Sequence, residues 1–202
     1  MNEHSSEFCH HQSLSSRDSA LHGEYIKVTG TQTTQLIYKE DIPMAITPHD
    51  IAKMLDHSTL QPFLTEEDIR KGCELALKYD CASVCARPCD VPILAEMLKG
   101  SDVKVCTVIG FPHGSHETVI KVAEAELALA EGCTELDMVI NIGKMIAGDT
   151  VYVKNEIKLL ADAAHAKGAI LKVILETCYL TDEQKITCCK LAEEAGADFV
   201  KT

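Results

Sequence analysis

No stretch of this sequence approaches 18 consecutive apolar residues, so no membrane-spanning helix is expected. Its start has no apolar core and no small-residue cleavage site, which argues against a secretory signal. Glu3, Glu7, Asp18 and Glu24 in the same segment argue against an Arg-rich transit peptide. Basic residues are scarce: 19 Lys and Arg stand against 31 Asp and Glu, a formal charge of −12. Such a surface repels nucleic acid and anionic membranes, so neither is expected as a partner. An anionic substrate would need a local group of cations or helix N-termini. No G-x-G-x-x-G turn follows the first strand-like segment, so the usual dinucleotide fingerprint is missing.

What is there is ordinary for a globular protein: 202 residues, 46% hydrophobic and 25% charged. Ten cysteines suggest a disulfide or metal framework at first sight. Yet Cys73, Cys106, Cys133, Cys178, Cys188 and Cys189 all sit inside apolar helical or strand patterns. Without a secretory signal they read as reduced, small hydrophobes in a cytoplasmic protein. The spacing of Cys81, Cys85 and Cys89 fits no common zinc motif, and no metal is expected.

Residues 1–46 are rich in Ser, His, Thr and Gln with no sustained period, and read as a disordered extension. Within it only Thr31–Tyr38 is β-prone, and His10 and His11 beside Cys9 belong to a solvated polar tail. From Thr47 an alternation begins. Short helices are expected over Thr47–Leu55 and Pro88–Leu98, each with a proline at its start. Longer ones are expected after Thr65, over Glu117–Glu131, over Thr150–Lys167, and from Thr181 to Gly196. Thr65 with Asp68 and Thr181 with Gln184 have the spacing of capping boxes. Strands are expected at Met54–Leu60, Cys81–Cys85, Val103–Phe111, Glu135–Ile140, Ala169–Glu176 and Ala197–Lys201. Near-continuous apolar strands between amphipathic helices mean an α/β fold with a parallel sheet, doubly wound or a (β/α)8 barrel. Polar residues at strand C-terminal ends favour the barrel.

Three strands carry charges that a core would reject: Asp137, Lys172 with Glu176, and Lys201. Alternation puts Lys172, Ile174 and Glu176 on one face of their strand, and Phe199 and Lys201 on one face of theirs. These charges are either structural ion pairs or a mixed-charge site. A lysine beside another cation loses its proton easily and attacks carbonyls, so a Schiff-base enzyme is one reading the residues allow.

The segments Leu55–Leu60 (LDHSTL), Val84–Pro88 (VCARP) and Val108–Gly114 (VIGFPHG) resemble the deoxyribose-phosphate aldolases. So do Glu135–Asn141 (ELDMVIN), Leu171–Thr177 (LKVILET) and Gly196–Thr202 (GADFVKT), six segments in the same order from about Thr47 to Thr202. The resemblance implies a class I lyase on a (β/α)8 barrel that needs no metal and no organic cofactor. It implies reversible cleavage of a small phosphorylated sugar, 2-deoxy-D-ribose 5-phosphate, to glyceraldehyde 3-phosphate and acetaldehyde, within deoxyribonucleotide catabolism. Lys201 falls on the Schiff-base lysine and Asp137 on the acidic proton shuttle, with Lys172 expected to keep Asp137 ionised. Asp56 and Thr59 are expected at the pocket mouth and Cys85 near the pocket. The loop from Phe111 to Gly114 is expected over the site, with His113 structural. The family often forms homodimers. It continues past the F-[IV]-K-T segment into two more βα units carrying a second lysine and most of the phosphate-binding backbone. The expectation is therefore a C-terminally truncated barrel over residues 47–202, with about six βα units. Without those units Lys201 lacks the second lysine that lowers its pKa, and the alternative to the aldolase reading is a non-catalytic fragment that pairs its open edges with a partner chain.

Overall fold

The structure, a computed structural model, describes residues 25–29, 33–37 and 46–202. The chain divides into two units, Met1–Ile46 and Thr47–Thr202. In the first, strands β1 (Tyr25–Thr29) and β2 (Thr33–Ile37) pair antiparallel. β2 lies within the β-prone run; the rest of the expected extension, Cys9, His10 and His11 included, lies outside the described residues.

The second unit begins with the short helix α1 (Pro48–Ala52), capped by Thr47, and then strand β3 (Asp56–Thr59). Helix α2 (Glu66–Tyr79) follows, closed at its start by the Thr65–Asp68 capping box. Strand β4 (Ser83–Ala86) leads through a 3₁₀ turn into α3 (Val91–Met97), and β5 (Lys104–Ile109) into α4 (Thr118–Ala130). Strand β6 (Glu135–Val139) is followed by two helices, α5 (Ile142–Ile146) and α6 (Thr150–His165). Strand β7 (Ile170–Ile174) leads to α7 (Asp182–Ala195), capped by Thr181 with Gln184, and β8 (Phe199–Lys201) follows. Helix α5 is the one element of this unit that the sequence reading does not contain. Its five residues are too short to show a period, and its visible signal is the N-cap Asn141. Among the described residues no helix is long and apolar enough to cross a membrane.

All six strands of this unit are parallel, in the order β3-β4-β5-β6-β7-β8. A doubly wound sheet reverses its order at a switch point; this one runs on without reversal, as a barrel does. Six flat strands would hold their edges about 24 Å apart. Yet Lys201 Nζ on β8 lies 3.0 Å from Asp56 Oδ2 on β3. Only a sheet curled about a lumen lets its two edge strands touch through side chains. The fold is thus an open (β/α) barrel of six strands.

The strands bury both faces. Val84, Ala86, Val105, Ile109, Leu136, Met138, Leu171 and Val173 form the main core with the helices. The alternate residues Cys85, Cys106 and Val108 form a small separate cluster on the lumen side. The apolar-pattern reading holds for Cys73, Cys106, Cys133 and Cys188, all buried; Cys178 and Cys189 are exposed, because they fall on the outer faces of a 3₁₀ turn and of α7.

The helix layer also hides an ion pair that the sequence reading missed. Lys121 on α4 and Glu156 on α6 meet at 2.9 Å with both side chains fully buried. Lys121 also donates to the Val139 carbonyl at 2.8 Å, and Glu156 accepts from the Asn141 amide at 3.1 Å. The pair therefore ties both helices to the C-terminal end of β6. Gly110, at φ +64°, leaves room for the Lys121 stem: a Cβ there would lie 2.7 Å from Cε. Gly114, also at positive φ, packs where any Cβ would overlap the Ile140 carbonyl oxygen.

Lys121→Met strips the buried Glu156 of its cation and is expected to cost about 3–5 kcal/mol. Urea unfolding measures it, and the double variant Lys121→Met/Glu156→Leu is expected to regain part of the loss. A single-variant loss below about 1 kcal/mol would mean that the pair is hydrated after all.

Candidate active site

Register and alternation decide which side chains enter the lumen. Asp137 on β6 pairs with Lys172 on β7, Lys172 with Phe199, and Ile174 with Lys201. Register partners in a sheet share a face, so Lys172 and Lys201 both point inward. On the other side Asp56 pairs with Ser83, Ser58 with Cys85, and Cys85 with Cys106. Glu135 pairs with Cys106 and lies two residues before Asp137, on the same face.

The lumen residues form one charged network. Lys201 Nζ donates to Asp137 Oδ2 and lies 3.0 Å from Asp56 Oδ2. Lys172 Nζ lies 2.9 Å from Asp56 Oδ2, 2.6 Å from Glu135 Oε2 and 3.5 Å from Asp137 Oδ1. Asp56 Oδ1 accepts from Ser83 Oγ at 2.7 Å. Cys85 Sγ faces Asp137 Oδ2 at 3.8 Å, and Cys106 Sγ faces Lys172 Nζ at 3.9 Å. Asp137 is fully buried, and its Oδ1 has no hydrogen bond: Lys172 is within ion-pair range but outside hydrogen-bond geometry.

Five of the six residues singled out from the sequence come together here: Lys201, Asp137, Lys172, Asp56 and Cys85. Thr59 does not. It lies three residues from Asp56, hence on the opposite face, and its methyl packs toward Gly72 of α2. Its hydroxyl donates to the Cys85 carbonyl at 3.4 Å. Ser58 takes the lumen face beside Asp56. Asp56 itself starts β3 and bridges the two lysines, rather than standing with Thr59 at a mouth. Glu176 is a second correction. β7 ends at Ile174, and Glu176 leaves the strand with φ 51°, so it is no partner for Lys172. Glu135 and Ser83 were missed; each lies two residues before a residue already chosen, which was the available signal.

The electrostatics favour the charged forms of Asp56, Lys172 and Lys201. Burial pushes the Asp56 carboxyl up, but hydrogen bonds from Lys172, Ser83 and Lys201 outweigh it and bring it down to about 2. Burial disfavours the Lys201 ammonium, but Asp137 and then Asp56 outweigh it and hold the proton more tightly than on a free lysine. Lys172 is raised likewise: Cys106, Asp137, Glu135 and Asp56 together overcome burial. The Cys106 thiol is pushed well up, first by its hydrogen bond with Cys85 and then by burial. As it stands, the site is an ammonium poised between two carboxylates.

A carboxyl held low in the folded state stabilises it above the unfolded value and loses that contribution as pH falls through the folded one. Asp56→Asn is therefore expected to cost about 1–2 kcal/mol near neutrality. In denaturant titrations at stepped pH, the gap to the parent should close between the ordinary carboxylate range and about 2. A gap independent of pH would assign the effect to packing rather than charge.

The model of the DeoC/LacD family aldolases matches residues 45–202. A curated deoxyribose-phosphate aldolase from Thermococcus gammatolerans is 55% identical over 155 residues, 76% of this chain and 69% of that protein. One from Caldanaerobacter subterraneus is 54% identical over 154 residues, 76% of this chain and 67% of that protein. Among solved structures, the tetrameric deoxyribose phosphate aldolase from Aeropyrum pernix matches with TM-score 0.72 and 33% identity. That match covers 77% of this chain and 65% of the other. The chain spans about two thirds of the length of these relatives. With the matching model over most of its length and relatives above half identity, the chain belongs to the DeoC/LacD family of aldolases.

Proposed function

We propose that this chain carries the lysine chemistry of a deoxyribose-phosphate aldolase, with Lys201 as the Schiff-base nucleophile. The observation that carries this is the place of Lys201 Nζ: inside the lumen, in contact with Asp137 and 3.0 Å from Asp56. An amine there can hand its proton to a carboxylate before it attacks the C1 aldehyde of 2-deoxy-D-ribose 5-phosphate. Loss of water from the carbinolamine gives an iminium; the C3 hydroxyl gives up its proton to water and becomes a carbonyl, and the iminium takes up the electron pair of the C2–C3 bond as that bond breaks. Glyceraldehyde 3-phosphate leaves, and the enamine is protonated and hydrolysed to acetaldehyde. Asp137, buried beside the amine, moves protons at the carbinolamine and enamine steps, through a water. Lys172, 3.5 Å from Asp137 Oδ1, sets a positive charge beside that carboxyl. Asp56 and Cys85 line the same lumen as supporting residues.

A cytoplasmic setting is part of the same proposal, supported by the free state of every cysteine among the described residues. So is self-association, supported by the tetramer of the Aeropyrum pernix relative.

Borohydride trapping tests the proposal. With deoxyribose 5-phosphate or acetaldehyde, the reduced adduct is expected on Lys201 and absent from Lys201→Arg. Because Asp137 and Asp56 hold the Lys201 proton, the adduct should be faint near about pH 7 and grow toward about pH 9, as free amine accumulates. Asp137→Asn should slow trapping by roughly a hundredfold or more. An adduct confined to other lysines, or none over the whole range, would overturn the assignment.

A further inference from the structure

The lumen holds two thiols to which the proposed chemistry assigns no bond-making or proton-moving step. Cys85 and Cys106 are register partners on adjacent parallel strands, and both are buried. Asp137 stands on the next strand, and the three donor atoms lie within 4.8 Å of one another. A tetrahedral ion with bonds of about 2.3 Å to sulfur and about 2.1 Å to oxygen spans about 3.8 Å between two sulfurs and about 3.6 Å from sulfur to oxygen. The Cys85 Sγ to Asp137 Oδ2 distance of 3.8 Å is already close to that span, and the other two edges lie within 4.8 Å. A second, independent observation points the same way: Asp137 Oδ1 is buried with no hydrogen bond, a spare acceptor in the same pocket.

We propose that Cys85, Cys106 and Asp137 form a three-ligand site for a thiophilic divalent cation of the zinc or cadmium class, and that occupying it silences the lumen. Two sulfurs and one oxygen select such ions over magnesium or calcium, which take oxygen ligands. A fourth position stays open to water.

The charges allow it. Around the three ligands stand Asp56, Glu135 and Asp137 with Lys172 and Lys201, one net negative charge when all are ionised. Two thiol protons leave to solvent as one divalent ion enters, so the local charge is unchanged. Two metal–sulfur bonds replace two sulfur–hydrogen bonds, and nothing is oxidised or reduced. The ion brings a divalent charge into direct contact with both sulfurs, where Lys172 offers one charge 3.9 Å from Cys106 Sγ. Lys201, which touches Asp137, has a side chain 32% exposed, so one ligand lies a single residue from solvent. Metal and ammonium compete for the same carboxylate oxygen, Asp137 Oδ2, and that competition makes the site inhibitory. The binding half of this inference is independent of the proposed reaction; the silencing half rests on it.

The test uses the full, reduced chain with the other exposed or undescribed thiols removed (Cys9→Ser, Cys89→Ser, Cys178→Ser, Cys189→Ser). Titration with cadmium chloride should raise the ultraviolet cadmium–thiolate absorption to an end point of one ion per chain, confirmed by elemental analysis after desalting. Adding Cys106→Ala should abolish the absorption step, and adding Asp137→Asn should weaken binding at least tenfold. Circular dichroism checks that both stay folded; if Cys106→Ala does not fold, Asp137→Asn alone decides. Unchanged binding in the folded variants overturns the site. Cadmium should also block borohydride trapping at Lys201, and a chelator should restore it. Binding without that block overturns the inhibitory role alone. Failure of trapping in metal-free chain refutes the proposed reaction while the absorption titration still decides the site.

Discussion

Everything in this structure is arranged around one electrostatic problem: two lysines brought inside a parallel barrel. A lone ammonium in that environment would either lose its proton or destabilise the fold by several kcal/mol. Here neither lysine is alone. Asp56 touches both, Asp137 touches both, and Glu135 takes the remaining side of Lys172. The five groups come from four strands, so the network also holds the lumen walls together. Asp56 is its keystone. It sits on the first strand of the sheet and is pinned by Ser83, yet it reaches the sixth strand through Lys201.

A second buried charge pair works from the opposite face. Lys121 and Glu156 lie among helices, and both reach the end of β6, two residues past Asp137 on the Lys121 side. The strand that carries the most buried carboxylate is thereby held from outside by one ion pair and from inside by another. Gly110 and Gly114 are the spaces left for this: one admits the lysine stem, the other lets a loop meet the Ile140 backbone.

Much of this could be read from the chain before folding. The order of elements from Thr47 onward, the capping boxes at Thr65 and Thr181, and the cluster of Asp137, Lys172 and Lys201 all have local signals: spacing, cap chemistry, charge in an apolar strand. The misses share a cause. Thr59 and Glu176 are parity and boundary errors, since one residue along a strand changes the face, and a strand that ends early releases its last residue. Glu135 and Ser83 look like unremarkable strand starts until the register shows whom they meet. Lys121 and Glu156 look like solvated helix faces, because a sequence does not show which helix will pack on which. Cys178 and Cys189 look buried for the same reason.

The ion pairs from Asp56 to Lys172 and Lys201 close over 116 and 145 residues of chain. Contacts that distant form late, after the intervening strands have paired one by one. Until they do, Lys201 lacks the Asp56 carboxylate that helps to hold its proton in the folded chain. Completion of folding therefore turns an ordinary lysine into one whose proton is tied to the walls of the lumen.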